Sequence, residues 1–344
     1  WMWYKRPYNF FIYSSLMIIV TGGAGFIGSN IVAALEKAGK KDLVVVDELG
    51  SSDKWKNIAK RELCAVIPPE DMLDYMEAHA EEIEAVIHMG AISATTETDA
   101  DLIIRTNFTL SWRLWEFCAL YGKQFIYASS AATYGDGSMG FDDDSSLEHV
   151  NALRPLNAYG WSKALFDRKV AREVKEGRPV PPQYAGLKFF NVYGPNEYHK
   201  GGQKSVVAHI FPQVKVNETV KLFKSYHPDY RDGWQLRDFV WVGDCVNVVL
   251  WLLDHPEVSG LFNVGSGEAR SFYDLAKAAF NALGLQEKIA YREMPEELKG
   301  KYQYYTQADL SRLRAAGYAA PMTSLEDGVR QYVQKYLDRE DSYV

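Results

Sequence analysis

The sequence predicts an α/β protein, a doubly wound parallel sheet followed by a smaller mixed α/β lobe. Three observations point there. Short β-branched runs alternate with longer amphipathic stretches through the first half of the chain. The first run opens directly into a turn with glycines spaced by three, Gly22, Gly25 and Gly28, ahead of a helical pattern. Beyond about Gly194 the regular alternation fades. Alternation of this kind implies βαβ units, with helices covering both faces of the sheet.

Taken in order, residues 17–21, 43–47, 85–88 and 124–128 read as buried strands, because each is a short apolar run rich in β-branched residues. Residues 30–38 and 110–120 lie between them and carry apolar side chains at helical spacing. Residues 173–183 include Gly177, Pro179, Pro181 and Pro182, which predicts a loop, since proline removes a backbone donor and blocks a continuing helix. Residues 187–192 read as a further strand. In the second half, residues 272–283 place Leu275, Ala278, Ala279, Ala282 and Leu283 on one helical face.

Composition excludes several classes. The chain has 344 residues, 47% hydrophobic and 24% charged, which is globular usage. A net charge of −7 makes a poor polyanion binder, so nucleic acid is not expected as a partner. Cys64, Cys118 and Cys245 form no CxxC pair, which argues against a disulfide framework or zinc ribbon; no metal is expected, and a reducing cytoplasm fits. In residues 1–16, Lys5 and Arg6 precede an apolar run that leads straight into the first strand. That run is shorter than the roughly 20 residues a bilayer needs. The segment reads as an extra leader, Met17 as the natural start, and no membrane partner is expected.

The glycine turn carries the first chemistry. Residues 21–29 read TGGAGFIGS, between a strand and a helix. Glycine permits the tight turn and a close backbone approach to a pyrophosphate, and the following helix N-terminus offers free N–H groups to it. Asp47 ends the second strand, where an acid accepts hydrogen bonds from the adenosine ribose. Together these form the fingerprint of a Rossmann-type dinucleotide-binding domain over residues 17–193. Residues 194–344 form mainly a substrate-binding lobe, with some return of the chain to the first domain around 238–265. Cofactor choice stays open on these residues: Asp47 and Glu48 repel a 2′-phosphate, whereas Lys54 with Ser51 and Ser52 receives one.

Redox chemistry follows from a second group. Residues 125–135 read FIYASSAATYG and place Ser130 just past an apolar strand, at the ligand crevice. Tyr159 and Lys163 are four apart on a helical pattern and so share a face. An ammonium there stabilises a phenolate and lowers the tyrosine pKa. Ser130 then holds a substrate oxygen, Tyr159 moves its proton, and a nicotinamide takes the hydride.

The strings TGGAGFIGS, SSAATYG, YGWSK and FFNVYGP together resemble the extended short-chain dehydrogenase/reductases that act on nucleotide sugars, over nearly all of residues 17–336. Sugar dehydratases of this superfamily carry an Asp-Glu pair after the catalytic serine or threonine. Ala131 and Ala132 stand there, which disfavours dehydration. NVYGPNEYHK (191–200), His209, Phe223, RDF (237–239) and the stretch 301–318 look closely like the ADP-L-glycero-D-manno-heptose 6-epimerase family. That resemblance implies an isomerase that oxidises carbon six transiently and returns the hydride to the other face, in a homo-oligomer of the cytoplasm acting on an ADP-sugar for lipopolysaccharide core synthesis.

The resemblance also implies site residues. Tyr159 and Lys200 handle protons, with Ser130 and Lys163 beside them. Gly22, Gly25, Phe26, Ile27, Gly28, Asp47, Glu48, Lys54, Met89, Gly90, Ala91, Ile92, Ser93, Asn107, Lys163 and Lys200 line the cofactor, NADP by family habit with NAD open. Ser130, Asn191, His209, Phe223, Arg237 and Tyr302 contact substrate. On its own residues Lys200 reads first as a surface lysine, a reading that the surrounding HK motif reverses, and His209 reads equally as a core histidine. Three features depart from the family: a longer loop over 224–236, Glu48 where asparagine is usual, and Pro69 where lysine is expected. The rival readings are a UDP-hexose 4-epimerase and, in another class, a non-catalytic NADP-sensing regulator.

Overall fold

The computed structural model describes residues 16–296 and 303–344, so Tyr302 and the leader up to residue 15 lie outside the described residues. The strands are β1 Met17–Thr21, β2 Leu43–Val46, β3 Ala65–Ile67, β4 Ile83–His88, β5 Gln124–Ser130, β6 Tyr184–Phe189, β7 Asn191–Tyr193, β8 Val220–Phe223, β9 Leu236–Trp241, β10 Gly260–Val264, β11 Ala269–Ser271 and β12 Ile289–Arg292. Seven of them form a parallel sheet in the order β10-β6-β5-β4-β1-β2-β3. From β1 the chain runs outward to β3, then crosses back to β4. Such a reversal opens a crevice at the carboxyl ends of β1 and β4.

The side chains of β1 show why this sheet is apolar throughout. Ile18 and Val20 pack on one face with Ile31, Val32 and Leu35 of helix Phe26–Lys37 and Val249 and Leu252 of helix Val242–Asp254. Met17 and Ile19 pack on the other with Leu114 and Trp115 of helix Leu110–Tyr121 and Phe166 of helix Ala158–Lys175. With both faces covered, the period-2 alternation sorts residues between two apolar layers rather than between core and water. A second core joins helices Val206–Lys215, Phe272–Ala282 and Leu325–Tyr332 around Leu222, Phe239 and Trp241. The smaller sheets there are β11-β9-β7 and β12-β8.

The strand expected over 187–192 is split between two sheets. β6 ends its pairing with β10 at the Phe189–Val264 match, and Phe190 N–H donates to the Val264 carbonyl at 3.0 Å. The next residues then pair with β9, Asn191 opposite Phe239. An unbroken apolar run does not announce which neighbour each residue pairs with, so the break is a tertiary event. The helix bearing Tyr159 and Lys163 spans Ala158–Lys175, so the loop expected over 173–183 begins only after Lys175. Within 238–265, β10 joins the large sheet at its edge, while β9 stays in the small one.

Candidate active site

The phosphate turn is built so that side chains cannot intrude. Gly22 has φ +64°, and a Cβ there would stand 2.6 Å from the Gly90 amide nitrogen. A Cβ on Gly28 would run into the Gly22 carbonyl oxygen. No side chain caps helix Phe26–Lys37, and its first turn carries no acid. The helix N-terminus therefore keeps its positive end for an anion. These residues fit a dinucleotide pyrophosphate. Asp47 closes the far side, accepting from Ala24 N–H at 2.9 Å and pairing with the Lys54 ammonium at 2.5 Å. Lys54 also donates to the Glu48 carbonyl, while the Glu48 side chain is exposed.

Behind the Met89–Ser93 loop lies a polar chain the sequence did not reveal. Gly90 N–H donates to Thr21 Oγ1 at 3.2 Å, which sits 2.6 Å from His88 Nδ1. His88 Nε2 meets Ser111 Oγ at 2.8 Å, and that hydroxyl donates to the Asn107 carbonyl at 2.7 Å. Burial pulls the His88 pKa down to about 3, with Lys163 adding to the effect. The ring is thus neutral, and one proton on Nε2 completes the donor chain. Asn107 sits in a π-turn, Ile104–Thr109, and its amide grips the Ile92 backbone at both ends, at 2.8 and 2.9 Å. It also donates to Ser162 Oγ at 3.0 Å, and Ser162 in turn donates to the Tyr159 carbonyl. The loop expected to line the cofactor is thereby tied to the helix bearing Tyr159 and Lys163.

Ser130 and Tyr159 are brought together by close helix packing. Ser130 ends β5 and caps the short turn Ala131–Tyr134, accepting from Ala132 N–H at 3.1 Å. A Cβ on Gly160 would stand 2.6 Å from the Ala132 carbonyl oxygen, so glycine beside Tyr159 lets that helix close on the Ser130 turn. The Ser130 hydroxyl comes near enough to the Tyr159 phenol to favour its ionised form.

The expected acidification of Tyr159 by Lys163 is corrected by the structure. Burial raises the Tyr159 pKa, and the Ser130 hydroxyl is the group that lowers it. Lys163 directs its ammonium to the Ala128 carbonyl at 2.7 Å instead. Burial takes the Lys163 pKa down to about 8, with Asp167 opposing. Beneath this group lies a buried ion pair that sequence reading missed. Lys188 Nζ is 2.9 Å from Asp167 and 2.7 Å from Thr133 Oγ1, and Asp167 also accepts from Ser129 at 2.7 Å.

Lys200 lies in the short turn Tyr198–Gln203, with Nζ 5.4 Å from the ring centre of Phe26, at the phosphate helix. Burial lowers its pKa, and Glu197 raises it. It is only partly exposed, so the reading of a free surface lysine does not hold. His209 is corrected in the other direction: it is exposed, bonded to the Gly202 carbonyl at 3.1 Å, and is no core histidine. Arg237 on β9 is buried, with Nη1 donating to the Leu236 carbonyl and its guanidinium 5.8 Å from the Phe272 ring. Phe223 is half-buried under Arg292, and Asn191 is exposed on β7, next to β9. The long loop 224–236 is ordered by aromatic contacts, His227 lying 5.0 Å from Tyr304 and Tyr230 5.6 Å from it.

A family model described as NAD dependent epimerase/dehydratase family matches residues 18–265. The chain is 50% identical over 336 residues to an ADP-L-glycero-D-manno-heptose-6-epimerase of Fusobacterium nucleatum, covering 95% of this chain and 100% of that one. A relative of the same name from Nitratidesulfovibrio vulgaris is 49% identical over 332 residues, with coverage of 95% and 100%. Among solved structures, the Helicobacter pylori ADP-L-glycero-D-manno-heptose-6-epimerase superposes with a TM-score of 0.76 at 27% identity, over 94% of this chain and 96% of that one. A Thermus thermophilus UDP-glucose 4-epimerase in complex with NAD gives 0.69 at 26% identity, over 92% and 98%.

Proposed function

The chain belongs to the NAD dependent epimerase/dehydratase family, and from that premise we propose the reaction of its site. It inverts carbon six of ADP-D-glycero-D-manno-heptose, giving ADP-L-glycero-D-manno-heptose, with a tightly bound nicotinamide cofactor. The observation that carries this is 50% identity over 95% of the chain with a heptose epimerase, in a chain that brings Ser130, at the sheet's carboxyl edge, beside Tyr159.

The chemistry explains why a redox group is needed for an isomerisation. Carbon six has no neighbouring carbonyl, so its C–H bond is too weakly acidic for direct deprotonation. The bound nicotinamide supplies a hydride acceptor and then a donor, which opens a route through a ketone. This chain's residues do the rest. Ser130 holds the reacting oxygen. Tyr159, kept protonated by burial, delivers a proton to that oxygen when the ketone is reduced, while the proton released when the alcohol is oxidised must be taken by another group. Inversion presents the oxygen in two orientations, so a second group is required, and we assign it to Lys200. Lys163, at the Ala128 carbonyl, is assigned to the cofactor ribose. Arg237, Phe223, Asn191, His209 and Tyr302 are assigned to the ADP-sugar.

For the cofactor we favour NADP over NAD. Lys54 sits against Asp47 and offsets the carboxylate that would otherwise repel a 2′-phosphate. Among the described residues, no helix is long and apolar enough to cross a membrane. We assign the enzyme to the cytoplasm as a homo-oligomer. The test is to incubate the protein with ADP-D-glycero-D-manno-heptose and, separately, UDP-galactose, in heavy water. Inversion of the heptose with no solvent deuterium at carbon six supports direct hydride return, and deuterium there removes that mechanism. Turnover of UDP-galactose alone makes it a hexose 4-epimerase. Cofactor binding with neither turnover leaves the regulator.

A further inference from the structure

The turn that carries Lys200 is gripped, residue after residue, from the far end of the chain. Asn196 Oδ1 accepts from Val344 N–H at 3.1 Å. Glu197 Oε1 accepts from the Tyr332 hydroxyl at 2.9 Å. The Tyr198 hydroxyl donates to the Ser342 carbonyl at 2.8 Å, and its ring meets Tyr343 edge-on at 5.3 Å. Residues 339–344 are themselves anchored: Lys60 pairs with Asp341 at 2.6 Å and donates to the Tyr343 carbonyl at 2.7 Å. Three consecutive residues, 196–198, therefore each hold a partner in 332–344, and Lys200 N–H closes back on the Glu197 carbonyl at 3.1 Å.

Lys200 needs such support. Gly201 and Gly202 follow it directly, and a Cβ on either would meet nothing within 4 Å, so that side of the turn is open apart from the exposed His209 contact to the Gly202 carbonyl. Gly201 also has φ +54°, a conformation glycine leaves as readily as it adopts. What fixes the Lys200 backbone is its N-terminal flank. Glu197 there is fully buried and accepts from Ser205 Oγ at 2.6 Å as well as from Tyr332.

We infer that Tyr332 and residues 339–344 form a positioning clamp for Lys200, acting through Asn196, Glu197 and Tyr198 to hold its ammonium over Phe26 at the cofactor side of the crevice. The inference rests on the reading of Lys200 as the second proton-handling group. Tyr198, Glu197 and Tyr332 are positioning residues in it, since none is placed on the substrate or the cofactor.

The test uses the full-length, cofactor-loaded enzyme, Tyr198→Phe, a variant lacking residues 339–344, and Lys200→Met for comparison. Loss of either clamp element should lower kcat by roughly 10- to 100-fold, the scale of an ångström-size misplacement of a reacting group. KM for the ADP-heptose and the cofactor dissociation constant should stay within about two-fold. Hydrogen exchange of amides 196–203 should rise about ten-fold or more, with amides 22–30 and 159–163 unchanged. Normal kcat in both variants, or unchanged exchange at 196–203, overturns the clamp. A broad rise in exchange with weakened cofactor binding also overturns it, since that marks general loosening. If the shortened chain does not fold, Tyr198→Phe, which removes one hydroxyl, decides alone. Normal turnover by Lys200→Met would instead remove the role of Lys200, a failure read separately from the exchange result.

Discussion

Lys163→Met removes an ammonium that the fold desolvates almost completely. Lys163 is 4% exposed, and burial draws its pKa from 10.5 to about 8 while Asp167 pulls it back up. At pH 7 the group is charged in both states, but the unfolded chain holds the proton more tightly. At 1.36 kcal/mol per pKa unit, this disfavours the folded state by about 3 kcal/mol. Against that stands the hydrogen bond from Nζ to the Ala128 carbonyl at 2.7 Å. Methionine strands that carbonyl, which costs about 1–3 kcal/mol. The two effects nearly offset, so at pH 7 the variant should match wild type or exceed it by up to about 2 kcal/mol.

The pH dependence separates them. Stability rises with pH wherever the unfolded chain binds more protons, here between about pH 8 and 10.5. Wild type should therefore gain about 2.5 kcal/mol from this group between pH 7 and pH 10, a gain the variant lacks. His88, whose pKa is also lowered by Lys163, titrates near 3 and stays outside that window. Urea unfolding of both cofactor-free proteins at pH 7, 8.5 and 10 measures the difference, and turnover should be severely reduced in the variant. A stability difference that stays flat from pH 7 to pH 10 would refute the reasoning. So would a variant more than about 2 kcal/mol less stable at pH 7, a loss larger than the one stranded carbonyl allows once the relieved desolvation is counted.

Tyr159→Phe should lower kcat at least about 100-fold with the cofactor dissociation constant unchanged, and full rate in that variant would put the proton transfer elsewhere. Lys188→Met strands a buried Asp167 and should cost about 3–5 kcal/mol by urea unfolding; a loss below about 1 kcal/mol would mean that the pair holds nothing together. Lys54→Ala should weaken NADP binding about ten-fold or more and NAD binding much less, as judged by fluorescence titration with each cofactor. Equal losses would assign Lys54 to the shared part of the dinucleotide.

The large sheet was legible because its signals are local. Five short apolar runs and a glycine turn need no knowledge of their neighbours, and β1, β2, β4 and β5 fall where those runs lie. The split at Phe190 was not, since both halves are equally apolar and only the partner strand changes. The same distinction runs through the site. TGGAGFIGS and Tyr159–Lys163 are spacings within a few residues, whereas the His88–Ser111 and Lys188–Asp167 contacts span 23 and 21 residues. A histidine ending a buried strand, and a lysine within one, were the only hints, since such groups persist in a core only with partners. The Lys163 ammonium shows the limit of spacing most clearly. Four residues on a helix place it on the Tyr159 face, as the sequence implies, yet the Ala128 carbonyl at the end of β5 decides where it points. Longer than either is the reach from 196–198 to 342–344, well over a hundred residues. No motif could have announced it, because Ser342 contributes its backbone carbonyl and Val344 its backbone N–H, groups that every such residue carries whatever its side chain.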